Sequence, residues 1–335
     1  MDNSLQNRIW LTRYLMVIGI VVLHTPPYQP LSELGLNTFD FIKAFFSHAL
    51  FRMTVPMLTV ISAYLLFSSS LVLHPTRLIS KKVTSILIPL ILWNIPLVIA
   101  IYLLQRYELV SHIFSVQLYP ASAINWLNAS TGMFGTPANY PLNFLRDLFV
   151  LSILAPLFLI FLRVIPYWGL IIVLVVYYFN LEGDLILRNS MLVCFYIGAL
   201  AAWKKWDICA MDKFAWPLLI LLVATCCAVV IWDVENREWL RMITPFIIWP
   251  CMALISNSFI GRMILPYTQN SFLTFLAHAP LLILLWFIYK PFSNTIPYPV
   301  FWLSAPLVIV VICAFIQPLM YKLMPNLTKI LLGGR

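Results

Sequence analysis

The stretch TRYLMVIGIVVLH, residues 12–24, puts two ionisable side chains into an otherwise apolar run. Arg13 and His24 are separated by ten residues. A helix turns about 100° per residue, so eleven steps return the two side chains to roughly the same face, about 16 Å apart along the axis. Ionisable groups are costly inside a bilayer, and there they point first to function. One basic group near each end of a span, facing the same way, suggests a lined path across the membrane.

The rest of the chain agrees that this stretch lies in a membrane. Of 335 residues, 62% are hydrophobic and 10% are charged, too few to cover a water-facing surface of this size. The reading is an all-α polytopic membrane protein, one transmembrane domain over residues 1–335. About ten spans are expected, near 9–25, 46–70, 83–105, 142–162, 167–181, 189–203, 214–232, 242–260, 271–289 and 299–322. The fifth and sixth are short. The first lacks a small-residue cleavage site and reads as a retained span.

Basic residues set the expected orientation. With the N-terminus inside, twelve fall on the inner side: Arg8, Arg77, Lys81, Lys82, Arg163, Lys204, Lys205, Lys213, Arg262, Lys322, Lys329 and Arg335. Six fall outside: Lys43, Arg106, Arg188, Arg237, Arg241 and Lys290. The excess predicts N-in and C-in. The net charge of +9 is thereby accounted for by anionic lipid, without nucleic acid. None of the six cysteines falls in an expected outer loop, and no Cys/His spacing suggests a metal.

Two expected outer connections are long, roughly 26–45 and 106–141. The second carries Trp126, Asn128, Asn139 and Tyr140, which suits a sugar-like ligand and equally suits an interfacial aromatic belt. The most basic inner loop, LHPTRLISKKVTSILIP, holds Arg77, Lys81 and Lys82 at the start of the third span. Such a cluster either grips phosphates or only anchors the inner side.

Polar groups inside the spans are the candidates for chemistry. His24, just before Pro26 and Pro27, is either a proton acceptor or a buried structural histidine. Arg52, in SHALFRMTVP, needs a carboxylate, carbonyls or an anionic ligand nearby. His48 lies one turn earlier. Arg146 and Asp147 open the fourth span, and His278 lies in the late segment SFLTFLAHAPLL. No Gly-rich phosphate loop, GxSxG elbow or HExxH occurs, and no carboxylate pair sits deep in a span.

Four of these segments together resemble the acyltransferase-3 family of integral-membrane acyltransferases, over nearly the whole chain. They are the Arg13-to-His24 motif; RMTVPMLTVISAYLLF with Arg52, Pro56, Ser62 and Tyr64; RLISKKVTSILIPLILWN with Pro89 and Trp93; and NSFLTFLAHAPLL with Ser271, Leu276 and His278. Two departures stand out. Ala63 replaces the family's usual Gly between Ser and Tyr, and Asn143-Phe144 stands where Trp-Phe is common.

The resemblance implies transfer of an acyl group, most often acetyl, from cytosolic acyl-CoA to a hydroxyl of a cell-envelope glycan or its lipid-linked precursor. The subgroup it resembles is the single-domain bacterial O-acetyltransferases, which implies the inner membrane. By motif position His24 would be the catalytic base and Arg13 would help seat the donor. Arg77, Lys81 and Lys82 would hold the nucleotide phosphates, with Arg52 joining the donor-binding set and shaping the central cavity. Acyl-CoA is then a substrate; no permanently bound cofactor or metal is implied. A transporter or flippase of a glycan shares the spans and the cations, but needs neither acyl-CoA nor His24.

Overall fold

The computed structural model describes residues 3–35, 37–109 and 116–334. Leu36, residues 110–115 of the second long connection, and Arg335 of the inner-side count lie outside the described residues. Among the described residues every regular element is helical.

All ten expected segments fall on helices, but among the described residues seven stretches are long and apolar enough to cross a membrane: Thr38–Phe67, Pro75–Arg106, Tyr140–Val164, Asp212–Ile231, Glu238–Ser256, Phe259–Phe292 and Tyr298–Leu323. The other three are explained by length and charge. The first helix, α1 (Asn3–Leu23), has 21 residues and reaches about 31 Å, enough for a bilayer core of about 30 Å. Its apolar character is diluted by Arg8 and Arg13. The fifth and sixth expected spans are helices of 13 and 14 residues, which reach only about 20 Å.

Two stretches contain a π turn. Residues 38–67 run as α2 (Thr38–Ala44), a π turn (Phe45–Ala49), a 3-10 turn (Leu50–Met53) and α3 (Thr54–Phe67). A second π turn (Val83–Leu87) joins α4 (Pro75–Lys82) to α5 (Ile88–Arg106). Wide turns of this kind leave carbonyls off the regular ladder, available to side chains.

The chain forms two compact units. The first comprises Met1–Leu65 and Ile197–Pro318, the second Leu66–Tyr196 and Leu319–Arg335.

The second unit is built from α4, α5, α6 (Ala123–Thr131), α7 (Asn143–Val164), α8 (Pro166–Tyr178), the first half of α9 (Ser190–Trp203) and the C-terminal segment. The long connection folds back on α5. Gln105 donates to the Val116 carbonyl and accepts from the amides of Leu118 and Tyr119. The Asn139 amide donates to Asn94 at 2.7 Å. Trp126 packs on Val98, Ile101, Leu118 and Ala129, and its indole N–H reaches the Leu118 carbonyl. Asn128 accepts from the Phe134 amide. These aromatic and amide groups hold the connection together. Arg146 and Asp147 do the same one element later. They pair at 2.9 Å; Arg146 donates to the carbonyls of Gly132, Asp184 and Leu185, and Asp147 accepts from the amides of Leu187 and Arg188.

In the first unit, α1 packs against α11 (Glu238–Ser256), α13 (Ser271–Tyr289), the π turn and the 3-10 turn. The remaining helices are α10 (Ala215–Ile231), α12 (Phe259–Ile264) and α14 (Tyr298–Leu323). Contacts are so close that α1 is buried around most of its circumference. Gly19 makes this possible: a Cβ there would stand 2.4 Å from the Phe51 ring and 2.9 Å from Thr54. The Ala63 departure has a similar explanation. Gly198 of α9 faces it, and a Cβ on Gly198 would meet the Val60 carbonyl at 2.4 Å and the Ala63 Cβ at 3.1 Å. The glycine that lets these helices approach is on the partner helix.

Candidate active site

The helical ladder of α1 runs out at Pro26 and Pro27, which lack the amide hydrogens that would extend it. The last turn still holds His24, whose amide reaches the carbonyls of Ile20 and Val21. His24 therefore keeps the angular register expected from Arg13. Its ring meets His278 of α13: Nδ1 of His24 and Nε2 of His278 are 3.0 Å apart, with the rings stacked at 21°. His278 is fully buried, and its Nδ1 lies 2.6 Å from the Phe275 carbonyl.

That carbonyl fixes the protons. A carbonyl only accepts, so Nδ1 of His278 carries a hydrogen, and in the neutral ring its Nε2 is an acceptor. The hydrogen between the rings therefore sits on Nδ1 of His24. The lone pair of neutral His24 is on Nε2, the nitrogen pointing away from the pair. Two histidines distant in sequence form one oriented pair.

Arg13 stands eleven residues earlier on α1, half-buried. Among the described residues it makes no ion pair and no hydrogen bond. A guanidinium without a counter-charge, midway along the largely buried helix α1, is a strong electrostatic feature, because low dielectric leaves its field unscreened.

Arg8 is different. It is 4% exposed, forks onto both carboxylate oxygens of Asp212 at 2.7 and 3.0 Å, donates to the Trp249 carbonyl, and lies over the Trp249 ring at 4.1 Å. Counted from sequence as an inner-side cation, it is a tether between α1 and the start of α10. Beside it an apolar cavity of about 370 Å³ is lined by Ile9, Met57, Tyr64, Phe246, Trp249 and their neighbours. Burial, and then the Asp212 carboxylate, pushes the nearby Cys209 thiol up from its ordinary range, while Arg8 opposes the shift.

Arg77 and Lys81 are exposed on α4, with Lys82 half-buried at its end. Buried Leu78 pins this short amphipathic helix. Further on, Trp93 donates to the Leu331 carbonyl at 3.2 Å and so holds the C-terminal segment against α5. These residues belong to the second unit, whereas Arg13, His24 and Arg52 belong to the first.

At the His24 end of α1 a further group of cations gathers. The π turn leaves the Ser47 carbonyl to accept from Arg52 Nε at 3.1 Å. Arg237, in the turn between α10 and α11, donates to both the ring Nδ1 and the backbone carbonyl of His48, each at 3.2 Å. The Tyr28 ring lies tilted beside His48, with ring centroids 5.9 Å apart, and Arg52 lies 6.0 Å from the Tyr28 ring. Burial lowers the Arg237 pKa from its ordinary value; Tyr28 opposes this and neighbouring Arg241 reinforces it. Sequence reasoning counted Arg237 only as an outer-side cation, because the nearby Asp233, Glu235 and Glu238 offered it local counter-charges.

Comparison with known proteins follows this geometry. The chain is 30% identical over 350 residues to the succinoglycan biosynthesis protein ExoH of Rhizobium meliloti (strain 1021), covering 100% of this chain and 94% of that protein. No solved structure matches. A family model described as an acyltransferase domain matches residues 7–317, which include both histidines of the pair, and the chain belongs to that acyltransferase-3 family of membrane proteins.

Proposed function

We propose that this protein transfers an acyl group, acetyl in the first instance, from cytosolic acyl-CoA to a hydroxyl of a cell-surface polysaccharide or its lipid-linked precursor. It would do so as a multi-pass protein of a bacterial inner membrane, with both termini in the cytoplasm. The observation that carries this reading is the fixed tautomer of the His24–His278 pair. Nε2 of His24 takes the proton from the acceptor hydroxyl. The oxygen attacks the thioester carbonyl, the C–S bond breaks, and the CoA thiolate recovers the proton from His24. While His24 is an imidazolium, its Nδ1–H still points at the His278 lone pair, which steadies the charge and the ring.

Arg13 supports the donor half of the proposal, as a cation with no protein partner at mid-span. The apolar cavity begins at Ile9, one turn before Arg13, and suits the acyl-pantetheine arm. Exposed Arg77 and Lys81, with half-buried Lys82 beside them, are cations of the kind that hold nucleotide phosphates. The relative named for succinoglycan biosynthesis supports a glycan acceptor.

The test is transfer of label from acetyl-CoA to envelope glycan in membranes, wild type beside His24→Ala. Label on the glycan with wild type alone is the expected result. Wild-type transfer by His24→Ala would overturn the assignment of the base. No transfer by either, from any acyl-CoA, would leave a transporter as the better reading.

A further inference from the structure

Two arginines at the His24 end of α1 have no use in the chemistry above. Arg52 and Arg237 are half-buried, and among the described residues no carboxylate lies within ion-pair distance of either. Asp233 and Glu235 act on Arg237 only from farther away, and Glu238 is paired with Arg241. Arg52 lies beside the Tyr28 ring, Arg237 donates to the His48 ring, those two rings are neighbours, and each guanidinium repels the other. Lys43 adds a third cation to the neighbourhood, held by Gln29 at 2.6 Å. Like charges gathered in a partly desolvated place are unfavourable unless an anion joins them.

The residues are also well held. The Ser47 carbonyl orients Arg52, and His48, 2% exposed, orients Arg237 through two contacts. Because a guanidinium only donates, Nδ1 of His48 is the acceptor. The segment from His24 to Tyr28 ties this place to the histidine pair, with Pro26 held by the Tyr298 hydroxyl and Pro27 by Lys43.

We propose that Arg52 and Arg237, converging on Tyr28 and His48, form an anion site that takes a carboxylate or phosphate of the substrate while the reacting hydroxyl lies at His24. Whose anion it is rests on the acyltransferase reading; that an anion binds there does not. The charged group belongs either to the acceptor glycan or to the far end of a dicarboxylic acyl chain.

The experiment has two parts. The full chain, purified in detergent, is melted with inorganic phosphate or glucuronate. The wild type is expected to gain thermal stability. Arg52→Gln and Arg237→Gln lose that gain, Arg237→Lys keeps part of it, and Lys290→Gln, on an exposed cation elsewhere, keeps it all. An undiminished gain in Arg237→Gln, or an equal loss in Lys290→Gln, overturns the site. The second part measures transfer. Arg237→Gln is expected to raise the KM several-fold with little change in kcat. If carboxyl reduction or dephosphorylation of the acceptor abolishes that difference, the anion is the acceptor's. If the difference is seen with succinyl-CoA and not acetyl-CoA, it is the acyl group's. A KM unchanged in both settings overturns the role in substrate binding. Should the wild type transfer nothing and still show an Arg237-dependent gain with phosphate, the site stands and the enzymatic reading falls.

Discussion

Nδ1 of His24 and Nε2 of His278 share one hydrogen across 3.0 Å, and the Phe275 carbonyl decides that it belongs to His24. The two histidines are therefore unequal. His24 does the proton transfer in the proposed reaction, and His278 is a positioning residue. His24→Ala is expected to lower acyl transfer about a hundred- to ten-thousand-fold while the protein still accumulates in membranes. His278→Gln, whose amide oxygen can still accept from His24, retains more activity than His278→Leu. Equal loss in both His278 variants, or a pH–rate profile that neither variant moves, would remove His278 from the mechanism.

Arg13 should trade activity against stability. An arginine at the centre of a span costs about 2.5–3.5 kcal/mol on insertion scales. Since no group among the described residues compensates it, Arg13→Leu is expected to raise the melting temperature in detergent while abolishing transfer. Arg13→Lys keeps the charge but not the fork, and should raise the KM for the donor. A destabilised Arg13→Leu would mean that the arginine holds the fold.

Orientation is testable with a native thiol. Cys209 is exposed between α9 and α10; Cys194, Cys226, Cys251 and Cys313 are buried. A membrane-impermeant maleimide should label Cys209 in inverted vesicles and spare it in intact cells. Because burial and Asp212 push this thiol up, less thiolate is present at neutral pH, so labelling is slow there and accelerates as pH rises. Asp212→Asn removes one of those causes and should speed labelling at a given pH. Labelling in intact cells would reverse the orientation.

The close fit at Gly19 makes a suppressor test possible. Gly19→Ala drives a methyl into the Phe51 ring, and overpacking of this kind costs about 1–3 kcal/mol. Pairing it with Phe51→Leu should recover part of the loss, read as thermal stability. Without recovery, the contact with Thr54 is the one that matters.

Much of this architecture is legible in residue order. Long apolar runs and Pro26-Pro27 place the helices and the end of α1, since a bilayer admits few other solutions. The motif at Arg13 and His24 marks one half of the histidine pair. The other half, His278, was visible in a late segment of the family pattern but without its partner, because 254 positions separate the two and no periodicity connects them. Short polar pairings were the least legible. Asp212 looked like one more loop carboxylate, yet it holds Arg8. Trp126 and Asn128 suited a sugar or an aromatic belt equally, and sequence did not show that both also bond the backbone of their own loop. Composition reports which groups are present; only the fold reports which are already engaged.

Helix α1 is fastened twice, by Asp212 gripping Arg8 near one end and by Phe51 seated against Gly19 toward the other. Neither sliding nor rotation is open to it without breaking a fork or displacing an aromatic ring. Arg13 and His24 thus sit on a stationary rail. Both fastenings lie within the first unit, so the separation between Arg13 and His24 is kept constant by that unit alone.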